Sequence, residues 1–112
     1  MIIEEVVRDY LDEQLTVPVL LQRTQKMTVP YVMIQKTGGG QTNRINSATI
    51  AVQSIGASIH VASDLNEQVK AAMGDIVTLS EISNVSLNSD YNFTDEERDE
   101  YRYQAVFELT HY

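Results

Sequence analysis

The chain has 112 residues, 43 % of them hydrophobic, with two prolines, five glycines and no cysteine. This suits one compact domain over residues 1–112 and excludes a disordered tail or a fibre. The missing cysteines exclude disulfides, thiolate zinc sites and a cysteine nucleophile, and a net charge of −8 opposes generic affinity for nucleic acid, whose phosphates it repels.

Charge is segregated along the chain. Residues 14–63 contain no Asp or Glu and four basic residues, Arg23, Lys26, Lys36 and Arg44, which leaves −12 on the remainder. A basic side and an acidic side of one molecule attract each other between copies. The alternative is that both are ordinary solvated surface.

In "IIEEVVRDYLDEQL" the apolar Ile3, Val6, Val7, Tyr10 and Leu11 recur at helical spacing, with Glu4, Glu5, Arg8, Asp12 and Glu13 on the other face. This predicts an amphipathic first helix. Pro18 opposes helix across "TVPVLLQ", which reads as a short edge strand, and "PYVMIQK" at residues 30–36 reads as a second strand. Residues 37–46, with three consecutive glycines, then read as a long loop. "SATIAVQSI" follows, a strand with Ala48, Ile50 and Val52 on the buried side and Thr49, Ala51 and Gln53 opposite.

From Ala57 to about Val77, Ile59, Ala62, Leu65, Val69, Ala72, Met73 and Ile76 return to helical period, with Ser58 as the cap. "EISNVSLN" predicts a short, irregular fourth strand with Ile82, Val85 and Leu87 inward. "SDYNFTDEERDE" reads as a polar connection, in which Thr94 and Glu97 fit a capping box and predict one helical turn. "YRYQAVFELTHY" is the clearest strand, with Tyr101, Tyr103, Ala105, Phe107 and Leu109 on one side. The expected fold is α+β in the order α-β-β-β-α-β-β, two helices packed on a mostly antiparallel sheet.

Catalytic motifs are not apparent. The glycine run lacks the lysine and hydroxyl residue of a phosphate loop and leads into a strand rather than a helix. The two histidines, His60 and His111, are far apart, and a catalytic zinc usually takes three protein ligands. "IGASIH" lacks the second glycine of a nucleophile elbow. The acidic run 95–100 lacks the spacing and turn glycine of a calcium loop, and reads as a solvated charge run. No cofactor, no metal and no enzymatic activity are expected. Because the N-terminus is acidic where a secretory signal is basic, and no 18-residue apolar stretch occurs, the chain is expected to be soluble and unanchored, with no membrane partner.

What remains is interaction. Lys36, Gly38, Gly39, Gly40, Asn43 and Arg44 form a candidate assembly loop, either a disordered tip or an arm that orders against a partner. Tyr91, Phe93, Asp95, Glu96 and Glu97 are candidate partner contacts, with core packing the competing role for the two aromatics.

The strings "YVMIQKTGGG", "DLNEQVKAAM", "LNSDYNFTD" and "YRYQAVFELTHY", in this order and spacing, resemble a family of small tail proteins of long-tailed phages and prophages of Gram-positive bacteria. The similarity runs from about Val17 to Tyr112. It implies a tail-completion or tail-terminator protein, a homo-oligomeric ring, typically a hexamer, that caps the tail tube, ends elongation and provides the head-tail joining surface. The implied partners are other copies of the chain, the tail tube protein and the head-tail connector protein. The implied location is the bacterial host cytoplasm during assembly, then the neck region of the virion. Two alternatives are a head-completion adaptor on the portal side and a small monomeric binding or regulatory module.

Overall fold

A computed structural model of the chain describes residues 2–21, 29–42, 44–97 and 100–112. Helix α1 spans Ile3–Gln14 and buries Ile3, Val7, Tyr10 and Leu11, one stripe at three- and four-residue spacing, with Glu4 and Glu5 in the first turn where the helix dipole favours negative charge. Strand β1, Val19–Leu20, is only two residues long. It pairs parallel to the start of strand β2, Tyr31–Thr42, through Val19↔Val32 and Leu20↔Met33. Pro18 thus lies just outside the sheet, as its missing donor requires.

Strand β3, Ile45–Gly56, pairs antiparallel with β2 from Tyr31↔Ile55 to Thr42↔Ile45. This corrects the reading of residues 37–46 as a long loop: the glycines lie inside a twelve-residue strand, and only two residues connect β2 to β3. Arg44 has a φ of 68°, the left-handed conformation a tight hairpin connection demands, whereas no glycine has a positive φ. Asn43 lies outside the described residues. Glycine's poor strand propensity suggested a break, but ladder hydrogen bonds use backbone alone, so a strand continues through residues without side chains when its partner is already in place.

Helix α2, Ile59–Gly74, starts at Ser58, whose hydroxyl accepts from the Val61 amide at 3.2 Å as expected of a cap. Gly56 allows the close entry into this helix, since a Cβ there would come within 2.8 Å of the Ala62 nitrogen. The helix stops at Gly74 and a 3₁₀ turn takes over at Ile76–Thr78, shorter than the span to Val77 that periodicity suggested. Ile76 is still buried, so the apolar spacing was read correctly while the hydrogen-bond pattern changed beneath it.

Strand β4 is Ile82–Asn92 and β5 is Tyr101–His111. β4 thus takes in Asp90 and Tyr91, which the sequence reading placed in a connection, and its bulges fall between Ile82 and Asn84 and between Leu87 and Ser89. No helical turn forms at Thr94. Its hydroxyl donates to Asn92 Oδ1 at 2.6 Å instead, and Asp95 and Glu100 bridge through reciprocal backbone hydrogen bonds of 2.9 and 3.0 Å. Local side-chain bonding here outcompetes the helix that the same residue types allow elsewhere.

The strand order is β1-β2-β3-β5-β4, antiparallel except at β1. The fold is therefore the α+β arrangement expected, and α1 and α2 share one face of the sheet. Val32, Ile34, Ala48, Ile50, Val52, Ala105, Phe107 and Leu109 point toward them and form one core with Leu11, Leu65, Val69 and Met73. Leu87, expected inward, is 49 % exposed at the sheet margin, and Tyr101 is 39 % exposed at the end of its strand. Ala51 and Gln53, expected on an open side, are buried, because β3 is central and side chains of β2 and β5 flank it on both sides.

Candidate functional site

Alternation on β5 sends Arg102 and Gln104 to the helix-free face, and register places Tyr91 opposite Gln104 and Gln53 on its other side. A connected cluster results. Gln53 Nε2 donates to Gln104 Oε1 at 3.0 Å, Gln104 Nε2 makes a short hydrogen bond to Tyr91 Oη, and Arg102 Nη1 donates to Gln53 Oε1 at 3.4 Å. Tyr91 and Phe93, two residues apart and therefore on one face, meet edge to face at 5.8 Å and 80°.

Arg102 is the centre of this cluster. Its guanidinium lies 5.1 Å from the Phe93 ring centroid, 3.4 Å from Asp95 through Nη2 and 3.8 Å from Glu100 through Nε. The side chain is only 16 % exposed, so these contacts act in a partly dehydrated setting where a charge left alone is costly. Sequence reasoning gave Arg102 no role. The available signal was the one arginine of the strand, two residues from Gln104 and flanked by two tyrosines.

Of the candidate partner contacts, the structure joins Tyr91, Phe93 and Asp95 through Arg102. Glu96 and Glu97 instead project from the turn that follows, exposed, with the Glu97 amide donating to Asp95 Oδ1 at 3.1 Å. Phe93, Arg102 and these acids line an open hollow of about 480 Å³. It has an aromatic wall and an acidic rim.

The candidate assembly segment lies at the far end of the same sheet. Residues 38–42 pair with Ile45–Thr49 of β3, and Asn46–Thr49 pair in turn with the end of β5, whereas Tyr91 and Asn92 pair near its start, so the two groups of candidates stay apart within one subunit whose long axis extends 44 Å. The Lys36 side chain lies over Gly39: a Cβ at that glycine would come within 2.9 Å of Lys36 Cε and 3.0 Å of the Ser47 carbonyl oxygen. Gly38 and Gly40 are roomier, with nearest atoms at 3.7 and 3.4 Å. Arg44 is exposed at the tip beside the exposed Ile45.

A second concavity, about 250 Å³, opens between α1 and the segment before β4, with Val6, Tyr10 and Leu79 as its apolar lining and Asp9, Glu13 and Glu81 around it. Tyr10 donates to the Ala72 carbonyl at 2.7 Å, and its phenol pKa is raised by burial and then by the charge of Asp75. Lys70 ties α2 to β4 through Asp90 at 2.5 Å, and that hydrogen bond, followed by the one to Glu67, holds its ammonium above the ordinary lysine range. Asn66 reaches the same carboxylate at 2.6 Å. These are structural ties between elements.

Among the described residues no group of three or more histidine, aspartate or glutamate side chains is placed to hold a metal ion, and no helix is long and apolar enough to cross a membrane. No protein-family model matches the chain, and no curated protein matches it.

Proposed function

We propose that this protein is a virion structural subunit of a long-tailed phage or prophage that caps the tail tube as a homo-oligomeric ring, ends elongation and offers a joining surface to the head. The observation that carries this reading is the ordered set of four strings that resemble small tail-completion proteins. Their placement in the fold supports it: "YVMIQKTGGG" lies in β2, "DLNEQVKAAM" in α2, "LNSDYNFTD" covers the end of β4 and the turn after it, and "YRYQAVFELTHY" contains β5. The strings therefore fall in β2, α2, β4 and β5.

The surface supports the same reading. The acid-free stretch supplies the hairpin with Lys36 and Arg44, while acid gathers on α1 and on the turn after β4. Opposite charges at separated places on one subunit suit head-to-tail contact between copies, which closes into a ring when the rotation closes.

Electron microscopy of particles from a phage or prophage with this gene deleted tests the role. Tails of uncontrolled, excessive length support tube capping. Normal tails beside unattached filled heads move the protein to the head-side joining step. Intact infectious particles overturn the structural role altogether.

A further inference from the structure

We propose that successive copies of this chain join through their sheet edges, residues 38–40 of β2 pairing antiparallel with residues 84–86 of β4 in the next copy. The inference deepens the ring reading above, on which it rests for its biological setting. It starts from an unexplained cost. Three consecutive glycines in a strand interior lose backbone entropy and pack no side chain, each at a cost of roughly 0.5–1 kcal/mol relative to alanine. No glycine has a positive φ, and Gly38 and Gly40 have room for a Cβ, so neither the conformation nor the space within the subunit calls for glycine at those two positions. Glycine in a strand also marks the place where another backbone approaches closely.

The edge geometry supplies that backbone. Among the described residues, β1 pairs with the outer edge of β2 only at Val32 and Met33, and no strand pairs with the outer edge of β4. β2 and β5 run one way and β3 and β4 the other, so copies related by rotation about an axis along the strands set β2 of one against β4 of the next in antiparallel sense. The levels also match. Through Gly40↔Ser47, Ser47↔Thr110 and Asn84↔Thr110, Gly40 and Asn84 occupy one level and one face at opposite margins of the sheet. Gly38 and Ser86 are matched in the same way through Thr49 and Glu108.

Protection against such pairing is thin within this window. Bulges bound it, after Lys36 on one edge and on either side of residues 84–87 on the other, and leave it regular between. Residues 38–42 carry no charge of their own, though the Lys36 side chain lies over Gly39, and β4 has no Lys, Arg or Pro. The one charged residue of β4, Asp90, is turned to Lys70 and Asn66 on the helix side. Natural edges usually place a lysine, a proline or an inward charge there to prevent addition of another strand. Leu87, half-exposed on the helix side of the β4 margin, gains cover from an incoming strand.

Disulfide trapping tests this cleanly because the chain has no cysteine of its own. Directly opposed residues in an antiparallel pair lie about 4.5–5.5 Å apart at Cα, within the range a disulfide accepts. Gly40→Cys and Asn84→Cys variants, purified separately with tags of different mass and mixed under mild oxidation, are expected to form the mixed disulfide in about tenfold excess over either homodimer, since pairing raises the effective concentration of the two thiols. Ser86→Cys replaces Asn84→Cys in a parallel mixture to report a staggered register. Homodimers alone would overturn the heterologous arrangement. Rings visible by microscopy with no mixed disulfide would overturn edge pairing while the ring stands, and a protein that stays monomeric at every concentration would overturn it outright. A deletion phage with normal particles, alongside an efficient mixed disulfide, would instead remove the tail role and leave the edge contact.

Discussion

Arg102 holds its guanidinium 5.1 Å from the centroid of the Phe93 ring while its nitrogens reach Gln53, Asp95 and Glu100. One side chain thus joins β3, β5 and the turn after β4 on the face the helices leave open. The turn's aromatic and acidic side chains take their positions from it.

Replacing Arg102 by alanine leaves two carboxylates and a glutamine oxygen without their shared partner in a partly dehydrated site. The expected loss of stability is about 2–3 kcal/mol, read by urea denaturation. Arg102→Lys keeps the charge but not the planar fork, and is expected to recover only part of that loss. A change under about 0.5 kcal/mol for alanine, the range of ordinary surface substitutions, would show that the cluster is surface decoration.

The glycines separate by their surroundings. Gly39→Ala sets a methyl 3.0 Å from the Ser47 carbonyl oxygen and against Lys36 Cε, whereas Gly40→Ala meets nothing closer than 3.4 Å. Gly39→Ala is expected to lower stability by about 1 kcal/mol, and Gly40→Ala to raise it by about 0.5–1 kcal/mol through a less flexible unfolded chain. Equal effects in thermal unfolding of the two variants would contradict this packing.

Alkaline titration probes Tyr10. Its pKa is raised in the folded state, so burial of the neutral phenol contributes stability that is present below the ordinary tyrosine value of 10.0 and is lost as pH rises through the higher folded value. Lys70, also raised, loses its pairing in the same direction, above 10.5. Stability is expected to hold level from neutral pH to about 9.5 and then fall, since unfolded tyrosine and lysine titrate near 10. The difference between wild type and Tyr10→Phe should change only in the alkaline limb, and a difference that moves between pH 6 and 9 would rule out Tyr10 as its source.

Self-association carries a charge component if the basic hairpin meets acidic surface on a neighbour. Exposed charges are screened over about 8 Å at physiological ionic strength and about 3 Å at 1 M, so association measured by sedimentation should weaken as salt rises. Backbone pairing between edges does not depend on salt in this way. Salt-independent association would therefore leave edge pairing in place and remove the charge component.

The order of elements was legible from the sequence because its signals are local. The α1 stripe of Ile3, Val7, Tyr10 and Leu11 and the Ser58 cap act over three or four residues, and each formed where those spacings placed it. The readings of residues 37–46 and 89–92 went astray where local preference opposed a partner strand. Glycines that break isolated strands were carried by β3, and the Asp90 and Tyr91 that read as connection were held in β4 by β5. Among the candidate contacts, Tyr91, Phe93 and Asp95 were visible as an aromatic and acidic segment, but the residue that assembles them was not.

Arg102 reaches Gln53 across 49 positions of sequence, and Gln53 reaches Gln104 across 51. The strand order β1-β2-β3-β5-β4, the edges left unpaired among the described residues and the level match of Gly40 with Asn84 arise the same way. Helical period, cap chemistry, charge segregation and the lack of thiol chemistry are properties of neighbouring residues or of composition, so the sequence carries them without folding. Which strands lie side by side is settled only when distant segments compete for the same hydrogen bonds and the same core, and that competition is decided in three dimensions.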